Sequence, residues 1–76
     1  MNKVNVYLIK DIAGLSGLSV YTVKYYLKLG LVKESGRSQA TNFRYFNDST
    51  LARLGEIRAL RKRKISLRKI KDLLNP

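Results

Sequence analysis

Apolar residues recur at three- and four-residue spacing in four stretches of this chain, and most of those stretches are bounded by residues that start or stop helices. Strand-like residues open the sequence (VNVYLI, 4–9), but from Ile9 the apolar positions Ile9, Ile12 and Ala13 fall at helical spacing, and Gly17 closes the segment. Ser19 then serves as an N-cap, with Leu18 before it and Val23 after it spaced as a hydrophobic staple. The second helix runs from there to Gly30, with Val20, Val23, Tyr26 and Leu27 along its buried stripe. Asn47 and Ser66 repeat the same device, pairing Phe46 with Leu51 and Ile65 with Ile70. They start a third helix to about Arg63, with Leu51, Leu54, Ile57 and Leu60 inward, and a fourth with Leu67, Ile70, Leu73 and Leu74 inward. Pro76 follows its end.

Residues 31–46 have no helical period. Turn chemistry at Ser35-Gly36 and an aromatic arm at Asn42–Phe46 predict a two-stranded hairpin, with Phe43 and Phe46 both in the core and Arg44 set by alternation opposite that face or at its edge. The fold class expected is mainly α, a helix-turn-helix (9–29), a small β-hairpin (31–46) and a helix pair (47–74), together one domain. Ala13, Gly17, Leu18, Val23 and Tyr26 carry the helix-turn-helix spacing: a small residue where the helices approach, a glycine for the bend, then apolar residues that lock the second helix across the first.

Composition narrows the chemistry. The 76 residues hold no cysteine and no histidine, and the five carboxylates, Asp11, Glu34, Asp48, Glu56 and Asp72, are scattered. A disulfide is excluded, and no metal, cofactor or enzymatic activity is expected, because the groups that would hold a metal or move a proton are missing. No run of apolar residues is long enough for a transmembrane helix, and Lys10 and Asp11 come too early for a signal peptide, so the expected location is the cytoplasm.

Sixteen Lys and Arg give a formal charge of +11, spread as +5 over residues 1–46 and +6 over 47–76. Such a surplus calls for an anionic partner, and double-stranded DNA is the first candidate. On the second helix Tyr21, Lys24, Tyr25 and Lys28 fall opposite the apolar stripe, where ammonium groups suit phosphates and phenols suit phosphates, sugars or base edges. A solvated basic face is the plain alternative. The helix-turn-helix bend favours the first, since that helix is the one such a unit lays in the major groove. Thr22 joins this set, and in the hairpin Arg37, Ser38, Arg44 and Tyr45 are candidates for flanking contacts. In the run Arg61–Lys64, Lys64 precedes a helix N-terminus suited to a phosphate, although a solvated run reads as well.

Over almost its whole length the chain resembles the N-terminal DNA-binding domain of MerR-family transcription regulators. IKDIAGLSGLSVYTVKYYLKLGLV resembles their helix-turn-helix, NFRYF their wing, and LARLGEIRALRKRKISLRKIKDLL the helix pair after it. The resemblance implies a winged helix-turn-helix, with Lys24, Tyr25 and Tyr26 on the family's basic-Tyr-Tyr segment and Arg44 as its wing arginine. It also implies that the full-length form dimerises, this stretch alone being a monomer. Leu27 stands where the family usually has an acid, and the family's long dimerisation helix and effector domain have no counterpart in the sequence. An excised domain and a naturally short protein remain open, as does an excisionase-like DNA-bending protein of a mobile element. Two rivals stand beside DNA: an acidic, DNA-mimicking protein antagonist docked on the basic face, and RNA or anionic membrane bound through Arg61–Lys64.

Overall fold

The computed structural model describes residues 5–75. Four helices and one hairpin follow in the order α1 (Ile9–Ser16), α2 (Val20–Leu29), β1 (Gly36–Arg37), β2 (Arg44–Tyr45), α3 (Asp48–Lys62) and α4 (Leu67–Leu74). This is the mainly α architecture expected from the pattern, and the winged helix-turn-helix that the family resemblance implies. The opening strand-like segment shortens to one residue: Tyr7 pairs with Phe46 in an isolated antiparallel bridge, each N–H donating to the other's carbonyl at 2.8 Å. Val4 lies outside the described residues, as does Pro76.

The three polar caps start the helices where spacing put them. Ser19 Oγ accepts from Thr22 N (3.0 Å), Asn47 Oδ1 from Ser49 N (3.0 Å) and Thr50 N (3.3 Å), and Ser66 Oγ from Lys69 N (3.2 Å), each satisfying donors that the first turn leaves without partners. At α1 the work falls to Asp11, whose carboxylate accepts from Leu8 N at 3.1 Å. Two helices end in a left-handed glycine, Gly17 (φ 73°) and Gly30 (φ 78°). In both, the next N–H folds back onto a carbonyl one turn earlier, Leu18 to Ala13 (2.9 Å) and Leu31 to Tyr26 (2.9 Å). Lys64 takes the same left-handed position between α3 and α4, at φ 63°.

One core joins the four helices and the two ends of the hairpin segment. Ile12 and Ala13 of α1, Val23 and Tyr26 of α2, Leu31 and Val32 after it, Phe46 just past β2, Leu54 and Ile57 of α3, and Ile70 of α4 are buried together. Helix α1 packs on both α2 and α3, and α4 on α3. Leu18, Leu51 and Ile65, the other members of the staples, lie half-buried against this cluster.

Two expected core residues are outside it. Phe43 is 61% exposed while Phe46 is fully buried. Residues three apart on an extended arm fall on opposite faces of the pleat, so both could not point inward. Leu73 is half exposed: three residues on from Ile70 it points further round the helix than Leu74, which four residues on returns nearly over Ile70 and meets the core.

Candidate nucleic-acid interface

Helix α2 presents its two faces as the spacing predicts. Val23 and Tyr26 are sealed, and Val20 and Leu27 are half-buried against the core. On the other side Tyr21 is 80% and Tyr25 44% exposed, with Lys24 and Lys28 also at the surface. Thr22 stands between the two faces, half-buried, its hydroxyl 2.9 Å from Ser19 Oγ. That contact ties Thr22 to the cap of its own helix.

The bend that sets this helix is clamped from α3. Arg58 Nη1 donates to the carbonyl of Ser16 at 3.3 Å, placing a cation against the C-terminal end of α1, where helix carbonyls lack partners. The same guanidinium covers Gly17 so closely that a β-carbon there would collide with it. Nothing in the sequence marks Arg58 for this task.

A groove of about 1360 Å³ runs between α2 and the wing. Its lining includes Lys10, Lys24, Lys28, Lys33, Arg37 and Arg44, with Glu34 the one acid among them. Leu8, Ile9, Leu27, Val32 and Phe43 supply apolar surface. Leu27, where the resemblance noted above implies an acid, forms wall here, and Phe43, expected in the core, helps to line the groove.

Glu34 organises the wing. Its Oε1 lies 2.9 Å from Arg37 Nε and its Oε2 3.0 Å from Arg44 Nε, so one carboxylate bridges residues on both strands. β1 and β2 pair antiparallel, Gly36 opposite Tyr45 and Arg37 opposite Arg44. The Tyr45 ring lies across Gly36, where any β-carbon would overlap it, and Tyr45 is half-buried as a result. Ser38 closes the hairpin: its N–H donates to Phe43 O (2.9 Å) and its carbonyl accepts from Asn42 N (2.7 Å), with Asn42 left-handed at φ 59°. Its backbone shapes the turn, and its side chain is half-buried.

The groove thus brings together Lys24, Lys28, Arg37 and Arg44 of the residues expected to act, with Tyr21 and Tyr25 on the same helix. Lys64 is not among the groove's residues; it is exposed in the α3–α4 turn, where Arg61 Nη1 also donates to Ile65 O at 3.0 Å. Lys10 and Lys33 are cations that sequence spacing did not single out, since neither belongs to the α2 stripe or the hairpin strands. Among the described residues no group of three His, Cys, Asp or Glu side chains could hold a metal, and no helix is long and apolar enough to cross a membrane.

Known proteins share both the sequence and the fold. The chain is 37% identical over 68 residues to the HTH-type transcriptional regulator CueR of Bacillus subtilis (strain 168), covering 90% of this chain and 46% of that protein. To the HTH-type transcriptional regulator ZntR homolog of Haemophilus influenzae it is 42% identical over 59 residues, 78% of this chain and 43% of that one. Among solved structures it superimposes on HiNmlR, a MerR family regulator lacking the sensor domain and bound to promoter DNA, with a TM-score of 0.83 and 31% identity over 92% of this chain and 52% of that one. A MerR family transcriptional regulator from Bacillus cereus shares the fold at a TM-score of 0.87 and 24% identity, over 95% of this chain and 53% of that one. The chain spans about half the length of these relatives. Their names describe transcriptional regulators and not enzymes, in agreement with what the composition implies. The family described as MerR HTH family regulatory protein matches residues 7–75, which takes in both helices of the bend, the wing and the helix pair, and the chain belongs to that family.

Proposed function

We propose that this chain is the DNA-binding part of a bacterial transcription regulator that reads duplex DNA in a sequence-specific way. In this reading α2 enters the major groove, with Tyr21, Thr22, Lys24, Tyr25 and Lys28 at base edges and phosphates, and the wing holds the flanking backbone through Arg37, Ser38, Arg44 and Tyr45. Lys64 adds a phosphate contact near the start of α4. The observation that carries the reading is the groove itself: six cations converge between an exposed tyrosine-lysine helix face and a wing that holds two arginines. The whole protein acts as a homodimer, each copy taking a half-site, and works at the nucleoid. HiNmlR was solved on promoter DNA, which supports the same partner here.

Binding to a duplex selected by this chain from a random pool tests it. With roughly five or six phosphate contacts, log affinity falls against log salt with a slope of about −5. Changing Lys24 and Tyr25 together to alanine should cost about 2–3 kcal/mol of affinity, one base-edge or phosphate contact for each side chain, while the unfolding midpoint stays put. A flat salt dependence, or full affinity in the double variant, sinks the reading. An acidic protein antagonist would occupy the same cationic face; it and duplex DNA should then exclude each other in a competition titration.

A further inference from the structure

Glu34 is the one acid among six cations in the groove, and its position is peculiar for a surface that has to meet phosphates. A carboxylate there repels the backbone it faces and neutralises part of the charge that would draw it in. Its geometry offsets that drawback. Both contacts from Glu34 are to the Nε atoms of Arg37 and Arg44, and among the described residues no hydrogen bond engages the terminal nitrogens of either guanidinium. Each arginine thus meets Glu34 at its neck, Arg37 through a hydrogen bond and Arg44 as an ion pair, with its two-nitrogen fork left for another acceptor. The fork is the part of a guanidinium that takes a phosphate in bidentate fashion. Glu34 itself is restrained: its side chain is 32% exposed and it sits directly after Lys33, whose carbonyl accepts from Thr50 Oγ1 of α3 at 3.3 Å. Through that link the backbone that carries Glu34 is tied to the helical body and not only to the wing.

We infer that Glu34 is a specificity-determining positioning residue, one carboxylate fixing both wing arginines so that their forks meet phosphates only when α2 is in its proper register. This rests on the DNA-binding reading above. Held arginines reach phosphates at one distance from α2, so a duplex whose flanking backbone lies elsewhere gains nothing from them. Freed arginines, on flexible stems, take a phosphate in almost any register, and the negative charge that discouraged loose binding is gone. Glu34 therefore lowers affinity for the wrong duplex more than it raises affinity for the right one.

The test compares a duplex selected by the wild-type chain from a random pool with a mixed-sequence duplex of equal length. Glu34→Gln should tighten mixed-sequence binding by roughly five-fold or more and steepen its salt slope by about one, the change expected for one further neutralised phosphate. Affinity for the selected duplex should change less, so the ratio of the two falls. Glu34→Asp keeps the charge but its stem is one methylene too short to bring the carboxylate to both Nε atoms; it should lower the ratio without steepening the slope. In an Arg37→Ala, Arg44→Ala background, Glu34→Gln should leave the ratio unchanged, because Glu34 acts through those two side chains. Unfolding midpoints accompany each measurement, and a ratio that falls only in proportion to lost fold would mark Glu34 as merely structural. A ratio unmoved by Glu34→Gln, or moved equally without the arginines, overturns the positioning role alone. Failure of the wild-type chain to bind either duplex overturns the DNA reading and this inference with it.

Discussion

In the bend between α1 and α2, nearly every group is matched by a near neighbour: Gly17 turns the chain, Leu18 closes onto Ala13, Ser19 caps the next helix, and Ile12, Ala13 and Val23 are sealed beneath. The wing, from Leu31 to Phe46, has only two-residue strands, one bridge to Tyr7, a left-handed Asn42 and a single carboxylate joining its arginines. The bend is held by burial and backbone closure, both of which resist change in salt. The wing's exposed part adds to a few backbone hydrogen bonds only charge and one ring stacked over one glycine, which salt and small substitutions alter easily. A binding surface made from both has one jaw fixed in advance and another that can be tuned.

Four substitutions or conditions sharpen that contrast, the largest first. Phe46 roots the wing in the core with no surface left exposed, so Phe46→Ala should cost about 3–5 kcal/mol. That is comparable with the whole stability of a small domain, and a thermal melt followed by circular dichroism should lose its cooperative transition. Gly17→Ala forces a β-carbon into a left-handed backbone and against Arg58; about 1–2 kcal/mol should be lost, read from the urea midpoint. A cost near zero would show that the bend is less fixed than the wing. Gly36→Ala pushes the Tyr45 ring off its strand partner, and here the fold should lose under about 1 kcal/mol, as surface changes usually do, while duplex affinity falls about five-fold.

The smallest effect is one of pH. The Tyr7 hydroxyl donates to Asp48 Oδ1 at 2.6 Å and the Asn5 amide to Oδ2 at 3.0 Å, which hold the Asp48 carboxyl below its ordinary value of 3.8. The same hydrogen bond, with some loss of hydration and the repulsion of the nearby carboxylate, raises the Tyr7 phenol above 10.0. Stability from this pair is therefore complete between those two ordinary values. It is lost on the acid side as pH falls through the lowered Asp48 pKa, and on the alkaline side as pH rises through the raised Tyr7 pKa. Tyr7→Phe should lower the melting temperature slightly near neutrality and by less at both extremes; a difference constant with pH would remove the hydrogen bond from the explanation.

How much of this was legible in the sequence follows the same division. Helix starts were readable because a cap and its staple lie within a few residues, and Ser19, Asn47 and Ser66 each hold the expected N–H groups. The stripe of Tyr21, Lys24, Tyr25 and Lys28 was readable from helical period alone. Phe43 departs from the core its residue type suggests because its parity on the arm is opposite to that of Phe46. Arg58 and Glu34 were not singled out for their roles. Ser16 and Arg58 meet across 42 positions, and of Glu34's two contacts only the one with Arg37 is close enough in sequence to leave a local sign.

Arg58 stands on α3 yet rests its guanidinium on the corner from which α2 springs. The corner from which α2 springs thus draws on a side chain 42 positions further along the chain, so a substitution confined to the long helix can reach the start of α2 while every residue of the bend stays as it is.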